Sequence, residues 1–137
     1  MAVTITVDYE GELRCRTTHG PSQSQFITDA PVDNHGRGES FSPTDLVATA
    51  LAACMATVMN IKARQKGYDI TGMKLSVEKH MSADSPRRIV RLPVTIEIPL
   101  PADHADRSVL EATALACPVH HSLHPDIDKP VTFRWLG

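Results

Sequence analysis

Two of the three cysteines stand where a thiol could do chemistry. Cys54 lies inside an apolar segment, residues 46–59, and Cys117 comes directly before Pro118. Because proline suits the first position of a helix, Cys117 is predicted to cap a short helix that runs through His121. Unpaired N–H groups and the positive end of the helix dipole favour a thiolate at such a position. From the residues alone, Cys54 is explained as well by an inert role as a small buried apolar side chain.

The other candidate ligands and nucleophiles are a third cysteine and a group of histidines. Cys15 is expected to share the inward face of a strand with a leucine, so core packing is its predicted role. One segment collects residue types that zinc or copper accepts, namely Cys117, His120, His121 and His124. A second paired cluster is missing and adjacent histidines on a short helix point apart. A metal site is therefore the weaker alternative, and no metal or cofactor is expected.

The element that positions Cys54 is predicted to be a long helix. Ser42, Pro43 and Asp45 give a capping serine, a proline at the first helical position and an acid three residues after the cap. Only two threonines interrupt the apolar residues from 46 to 59. This pattern indicates a helix that is buried on all sides and is too short to span a bilayer.

Alternating apolar and polar residues predict strands on both sides of this helix. Residues 29–41, rich in glycine and polar groups, are expected to form a mobile loop, and Pro93 indicates an edge or a bulge within its strand. Asp103 with Asp106 can cap a second helix. The first two predicted strands form a hairpin around a turn at 10–12. The predicted strands are 3–7, 13–16, 25–28, 73–77, 90–98 and 131–135. This order of elements is typical of the α+β class.

Length and composition limit the class of protein further. The chain has 137 residues, which predicts one domain spanning 1–137. Its 42% apolar and 22% charged residues exclude a disordered chain. A net charge of −2 and 4% aromatic residues argue against a nucleic-acid partner. The first residues lack a signal-peptide pattern and the cysteine count is odd, so we expect a cytoplasmic protein without a membrane partner.

The residues around both cysteines resemble the OsmC/Ohr family. The resemblance rests on Phe41-Ser42-Pro43-Thr44-Asp45-Leu46-Val47-Ala48 leading into Leu51-Ala52-Ala53-Cys54-Met55, and on Ala116-Cys117-Pro118-Val119 far downstream. The order of strands and helices agrees with that family over nearly the whole chain. The resemblance implies an OsmC-like α+β fold with antiparallel sheets around a buried central helix. It also implies an intertwined homodimer with two active sites at the interface.

The same resemblance implies a chemistry, the thiol-dependent reduction of organic hydroperoxides or hydrogen peroxide in oxidative-stress defence. Cys54 matches the peroxide-attacking cysteine and Cys117 the resolving one. A sulfenic acid on Cys54 would then be rescued as a Cys54–Cys117 disulfide. A dithiol or lipoyl-type protein would reduce that disulfide. Ala50, Leu51 and Met55 are expected to form an apolar wall for the alkyl tail of the substrate.

The resemblance further implies an activating arginine near the N-terminal strands, sometimes supplied by the partner subunit. A carboxylate on the turn before the central helix holds this arginine. Asp45 matches the acid of one OsmC-like branch, whereas Thr44 stands where the Ohr branch has a glutamate. The capping role explains Asp45 equally well. The preferred arginine is Arg16 or Arg14 on the second strand, followed by Arg37 in the loop, where Glu39 is a spare carboxylate.

Two alternatives stay open at this point. The chain could be a non-catalytic, small-molecule-binding protein on the same fold, because Thr44 departs from the Ohr pattern. Less favoured is a metal-binding protein that uses the cysteine and histidine segment. Peroxide consumption with a dithiol donor tests the first alternative, and metal analysis tests the second.

Overall fold

The computed structural model describes all 137 residues, which form two compact units, Met1–Leu46 and Val47–Gly137. The predicted α+β class is confirmed. In chain order the elements are β1 (Ile5–Gly11), β2 (Arg14–His19), β3 (Gln25–Asp29), α1 (Pro43–Gln65), β4 (Lys74–Val77), β5 (His80–Met81), β6 (Ile89–Arg91), β7 (Val94–Ile98), α2 (Arg107–Leu115), α3 (Pro118–Ser122) and β8 (Val131–Trp135).

The first unit contains an antiparallel sheet with strand order β1-β2-β3, so the predicted N-terminal hairpin is confirmed. Its turn lies later than expected, at Glu12 and Leu13, whose φ angles are 57° and 62°. A bulge between Tyr9 and Gly11 shifts the register and moves the turn. Two positive φ angles are what a tight two-residue hairpin turn requires. Leu13 is therefore exposed in the turn, and the expectation that it faces inward with Cys15 is wrong.

The segment that joins β3 to α1 is irregular, as expected, and backbone hydrogen bonds fold it back on itself. The N–H of Gly36 donates to the carbonyl of Pro31 at 3.0 Å, and that of Gly38 donates to the carbonyl of Ala30 at 3.2 Å. A Cβ on Gly36 would collide with the carbonyl of Ala30, so only glycine fits there. The Ser40 hydroxyl donates to the carbonyl of Ile27 at 3.0 Å, which ties the end of this segment to β3.

The helix α1 begins with the predicted capping box. The Ser42 hydroxyl accepts the N–H of Asp45 at 3.1 Å, and the Asp45 carboxylate accepts the N–H of Ser42 at 2.9 Å. Only one stripe of the helix is buried, in contrast to the expectation of burial on every side. A helix packed against one layer buries a stripe of this width, which leaves Ala53 and Ile61 exposed on the other side. The buried residues are Ala48, Leu51, Ala52, Met55, Met59 and Ala63.

The length of α1 also differs from the sequence-based expectation. It has 23 residues, with a mean hydropathy of 1.6 over its most apolar window. By length and composition it could therefore cross a membrane, contrary to the expectation drawn from residues 46–59 alone. The core helix of a soluble protein has these same properties.

The second unit contains a sheet with strand order β4-β7-β8 and a smaller β5–β6 pair. The strands β4 and β7 pair antiparallel, from Lys74 opposite Glu97 to Val77 opposite Val94. A break at Pro93 separates β6 from β7, as that proline predicted. The expectation of purely antiparallel sheets is wrong in one pairing, because β7 and β8 are parallel. The helices α2 and α3 lie between them in sequence and provide the long crossover that a parallel pair needs.

The core of the second unit lies between this sheet and the helices. Buried residues of β7, α2 and the stripe of α1 belong to one cluster, which includes Ile96, Leu110 and Met55. Polar contacts connect the elements at the edge of this cluster. The Tyr68 hydroxyl donates to the Asp106 carboxylate at 2.8 Å, which ties the segment after α1 to the start of α2. This packing fixes the middle of α1, where Cys54 lies.

Candidate functional site

The predicted cap at Cys117 is confirmed. Pro118 occupies the first turn of α3, and the Cys117 sulfur accepts the backbone N–H of His120 at 3.3 Å. The residue itself has no exposed surface. The local sequence therefore fixes the direction of this sulfur, because the cap and the proline leave it facing the N–H groups of the helix start.

The protonation of Cys117 differs from what the helix terminus alone indicates. Burial raises the pKa of the Cys117 thiol above its ordinary value of 9.0. The hydrogen bond from His120 acts in the opposite direction but is the smaller effect. The expectation that the helix start favours a Cys117 thiolate is therefore corrected, since desolvation of the charged form outweighs the stabilisation from the N–H group.

Cys54 and Cys117 come together in the structure. Their side chains are hydrogen-bonded, and both this bond and the negative charge on Cys54 raise the pKa of Cys117 further. Both effects act in the same direction as burial and favour the protonated form of Cys117. Such an arrangement needs little movement to become a disulfide, and the three cysteines are free in this structure.

The burial of the two cysteines differs from the sequence-based expectation. Burial of the long helix on every side predicts a buried Cys54, and the predicted cap places Cys117 at the end of a helix. The structure has Cys54 half-buried at the margin of the core cluster and Cys117 fully buried within it. Leu51 and Met55, which were expected to line an apolar pocket, are fully buried in the core, while Ala50 is exposed.

The histidines beside Cys117 do not assemble a metal site. No group of three or more histidine, cysteine, aspartate or glutamate side chains is arranged to hold a metal ion. The rings of His120 and His121 meet edge to face with their centroids 6.3 Å apart. Burial, with the nearby charges of Lys129 and His121, lowers the pKa of His120. The metal-binding alternative therefore gains no support from the geometry.

Among the candidate arginines, Arg14 is held by a carboxylate that the sequence analysis did not single out. Its Nε donates to one oxygen of Asp29 at 2.7 Å, and its Nη2 donates to the other at 2.8 Å. Asp29 is 1% exposed. Glu39 contributes its backbone N–H to Asp29 at 3.1 Å, and its carboxylate lies 3.6 Å from Arg14. The hydrogen bond from Arg14 is the main cause that lowers the pKa of Asp29.

Arg16 and Arg37 occupy different surroundings. Arg16 makes a single 3.0 Å contact with Glu10, and both side chains are well exposed, at 43% and 38%. Arg37 acts on Asp29 only through its charge, which adds to the lowering of the Asp29 pKa. Of the three candidates, Arg14 has the most firmly fixed guanidinium.

The contact between Asp29 and Arg14 could not be predicted from the sequence, because the pairing register of two strands decides which residues face each other. Arg14 lies directly opposite Asp29 in the pairing of β2 with β3. The segment 25–28 was predicted as a strand, but its pairing with β2 was not predicted. Asp45 occupies the capping position described above, and Cys15 is half-buried in β2.

Comparison with known proteins identifies the family. Residues 36–129 match the family described as OsmC-like protein. A protein of Psychrobacter arcticus, named for osmotic stress induction and a detoxification response, is 46% identical. That alignment covers 98% of this chain and 97% of the other, with a TM-score of 0.91. No curated protein sequence matches this chain.

More distant structures share the fold. An organic hydroperoxide resistance protein OsmC of Legionella pneumophila is 15% identical and has a TM-score of 0.77, with 98% of this chain and 97% of that chain covered. An organic hydroperoxide resistance protein of Elizabethkingia anophelis is 14% identical and also has a TM-score of 0.77, with coverage of 99% and 97%. With its matched segment and its cysteine pair, this chain belongs to the OsmC-like protein family.

Proposed function

We propose that this protein is a thiol-dependent peroxidase that reduces organic hydroperoxides, and hydrogen peroxide as a second substrate, in oxidative-stress defence. The observation that carries the proposal is the hydrogen-bonded pair of Cys54 and Cys117, in which burial and the contact with Cys54 raise the pKa of Cys117. Family membership supports it, as do the names of the two hydroperoxide resistance proteins that share the fold.

The proposed reaction uses the two sulfurs in sequence. The thiolate of Cys54 attacks one oxygen of the hydroperoxide, the O–O bond breaks, and the alkoxide leaves as an alcohol after it takes up a proton. Cys54 is now a sulfenic acid. The sulfur of Cys117 attacks the sulfenic sulfur, water leaves, and a disulfide forms. A dithiol donor, free or lipoyl-bound, returns two electrons and two protons and restores both thiols.

The asymmetry of the pair supports this division of roles. Cys54 is half-buried, so a substrate can reach its sulfur, whereas Cys117 is fully buried. A buried thiol with a raised pKa reacts slowly with peroxide because the thiolate is the nucleophile. Cys117 attacks efficiently only a sulfur that is already beside it. The order of the two steps follows from this difference.

For the activating groups we propose Arg14 in preference to Arg16, together with Asp45. A guanidinium fixed by two hydrogen bonds loses little conformational freedom when it binds an anion. Arg14 meets this condition, and the exposed Arg16 does not. A cation of this kind stabilises both a thiolate and the leaving alkoxide.

We also propose that the protein acts as a homodimer in the cytoplasm, where dithiol donors are available. Apolar side chains of β1 are exposed in the single chain, including Ile5, Val7 and Tyr9. The exposed side of α1 borders an open groove of about 350 Å³. Uncovered apolar surface of this kind is typical of an interface between subunits.

The decisive experiment is intact-mass spectrometry after one equivalent of an alkyl hydroperoxide. The wild type is expected to lose two hydrogens, and non-reducing peptide mapping should locate a 54–117 disulfide. Cys117→Ser should gain one oxygen and then drift to the sulfinic acid, whereas Cys54→Ser should stay unmodified. Cys15→Ser is the matched control and should behave as wild type. If Cys54→Ser and wild type consume peroxide at the same rate, the chain is a non-catalytic member of the fold.

A further inference from the structure

The sulfur of Cys117 holds the start of α3 as well as contacting Cys54. Pro118 has no N–H, so the first turn of this helix has two N–H groups without a helical partner, those of Val119 and His120. Both donate to the Cys117 sulfur, and the bond from His120 measures 3.3 Å. One sulfur therefore caps α3 and is also hydrogen-bonded to the side chain of Cys54.

The rest of α3 is weakly anchored. The helix has five residues, Pro118–Ser122, and none of them is buried. The Ser122 hydroxyl donates to the carbonyl of Pro118 at 2.7 Å, a bond that stays within the helix. Val119 and Leu123 pack against the core with side chains that are only partly buried. Because a helix this short gains little stability from its own hydrogen bonds, its first turn depends on the cap.

The two roles of the Cys117 sulfur come into conflict when this thiol is oxidised. In the reduced protein the sulfur faces the N–H groups of the first turn. In a Cys54–Cys117 disulfide the same sulfur is bonded to a second sulfur, and disulfides accept only a narrow range of geometries, so Cys54 then sets its direction. Sulfur is a weak acceptor, and a change in its direction is enough to lose these hydrogen bonds. The N–H groups of Val119 and His120 are then left without their acceptor.

We propose that α3 is a redox-sensitive element: a disulfide between Cys54 and Cys117 removes the cap and releases the first turn of this helix. The proposal rests on the proposed function, since it uses the disulfide of that reaction. Formation of the S–S bond removes one hydrogen from each thiol, and the oxidant takes up these two electrons and two protons. In the reaction proposed above, the hydroperoxide is this oxidant. A dithiol that reduces the disulfide restores the cap.

Amide hydrogen exchange, followed by NMR, measures the release directly. Exchange is compared between the reduced protein and the protein treated with diamide, a thiol oxidant that takes up the two hydrogens without any peroxide. The N–H groups of His120 and His121 should exchange about fivefold faster in the disulfide form, as expected for loss of a helix cap. The N–H of Leu110, which donates to the carbonyl of Asp106 at 2.9 Å in α2, is the internal control and should not change.

Substitutions of the cysteines separate the cap from the disulfide. Cys117→Ala removes the acceptor without forming a disulfide, so α3 of the reduced variant should exchange as fast as α3 of the oxidised wild type. Cys117→Ser supplies a hydroxyl acceptor and cannot form the disulfide, so its exchange should stay slow with and without diamide. Cys54→Ser keeps the Cys117 cap and should not respond to diamide. Cys15→Ser keeps both cysteines of the pair and should respond as wild type does.

Three results would overturn the proposal. The first is equal exchange at His120 and His121 in the reduced and the oxidised wild type. The second is faster exchange after diamide in Cys54→Ser, because a disulfide with Cys54 would then not be the cause. The third is a wild type that forms no 54–117 disulfide with diamide. Where Cys117→Ala does not fold, the comparison of wild type with Cys54→Ser decides.

Failure of this proposal is distinguishable from failure of the proposed function, because the exchange experiment contains no peroxide. Wild type that consumes no hydroperoxide, while its α3 responds to diamide, contradicts only the peroxidase assignment. Wild type that turns over hydroperoxide, while the exchange of α3 is the same in both forms, contradicts only the redox-sensitive role of α3.

Discussion

Two segments of this chain have nearly the same sequence pattern and opposite surroundings. Residues 3–7 read Val-Thr-Ile-Thr-Val and residues 94–98 read Val-Thr-Ile-Glu-Ile. In the second segment, β7, the apolar residues are buried, with Ile96 and Ile98 at 0% exposure. In the first, which enters β1, Ile5 and Val7 are 59% and 61% exposed. An alternating pattern therefore determines which side chains share a face and leaves open what covers that face.

The difference follows from the position of each strand. The strand β7 lies between β4 and β8, and its apolar residues belong to the same core cluster as α1 and α2 residues. The strand β1 is at the edge of its sheet and has a partner only on one side. An edge strand with an exposed apolar face is a typical site of association between chains. The two strands thus contrast an apolar face that is covered within the chain with one that the chain leaves exposed.

The largest effect on stability is expected from truncation of the buried strand. Ile96→Ala should lower the free energy of unfolding by about 3 kcal/mol, because it leaves a cavity in the core. Ile5→Ala should cost less than about 1 kcal/mol in the chain itself, and any added cost, which arises from the dimer, should shrink as the protein is diluted. Urea unfolding followed by fluorescence of the single tryptophan, Trp135, measures both variants. If both substitutions lowered the free energy of unfolding equally and independently of protein concentration, the proposed difference between β7 and β1 would be wrong.

The exposed strand should instead control association. Val7→Glu introduces a charge into the apolar face of β1 and should weaken dimer formation at least about tenfold. Thr6→Glu places the same charge on the opposite face of that strand and serves as the matched control. Sedimentation velocity should show wild type at twice the 15.0 kDa chain mass. A folded wild-type monomer at micromolar concentration would contradict both the dimer and the expected role of the apolar face of β1 in association.

The stability of the unit that contains β7 should also decrease at alkaline pH because of one tyrosine. Burial and the hydrogen bond to Asp106 raise the pKa of Tyr68 to about 12, from an ordinary value of 10.0. A raised pKa gives stability that is complete below pH 10 and is lost as the pH rises through about 12. Tyr68→Phe should lower the free energy of unfolding by about 1 kcal/mol at neutral pH. Above pH 10, the free energy of unfolding of this variant should fall less steeply with pH than that of the wild type. Urea unfolding followed by Trp135 fluorescence measures this dependence. If the free energy of unfolding of Tyr68→Phe falls with pH as steeply as that of the wild type, Tyr68 is not the group that titrates.

The smallest effect on stability is expected at the start of α1, the element whose sequence connects the two units. Asp45→Asn keeps an acceptor for the N–H of Ser42, so the free energy of unfolding should change by less than about 0.5 kcal/mol. If Asp45 also holds the activating arginine, the rate of peroxide reduction should fall in this variant. Peroxide consumption with a dithiol donor measures that rate. An unchanged rate reduces Asp45 to its capping role.

The sequence by itself determined the features that depend on neighbouring residues. The capping box at Ser42 and Asp45, the cap at Cys117 before Pro118 and the interruption at Pro93 are all present as predicted. Each rests on hydrogen bonds or steric limits within a few residues, which the local sequence contains completely. Period-2 alternation similarly gave the strands and hence the α+β class.

Only the tertiary structure decided the features that join distant segments. The parallel pairing of β8 with β7 and the register that places Asp29 opposite Arg14 depend on contacts between separate strands. The full burial of Cys117 and the partial burial of Cys54 depend on how the helices pack around them. Burial and partner choice are properties of the assembled core, because desolvation and ion pairing act between groups that the chain brings together only when it folds.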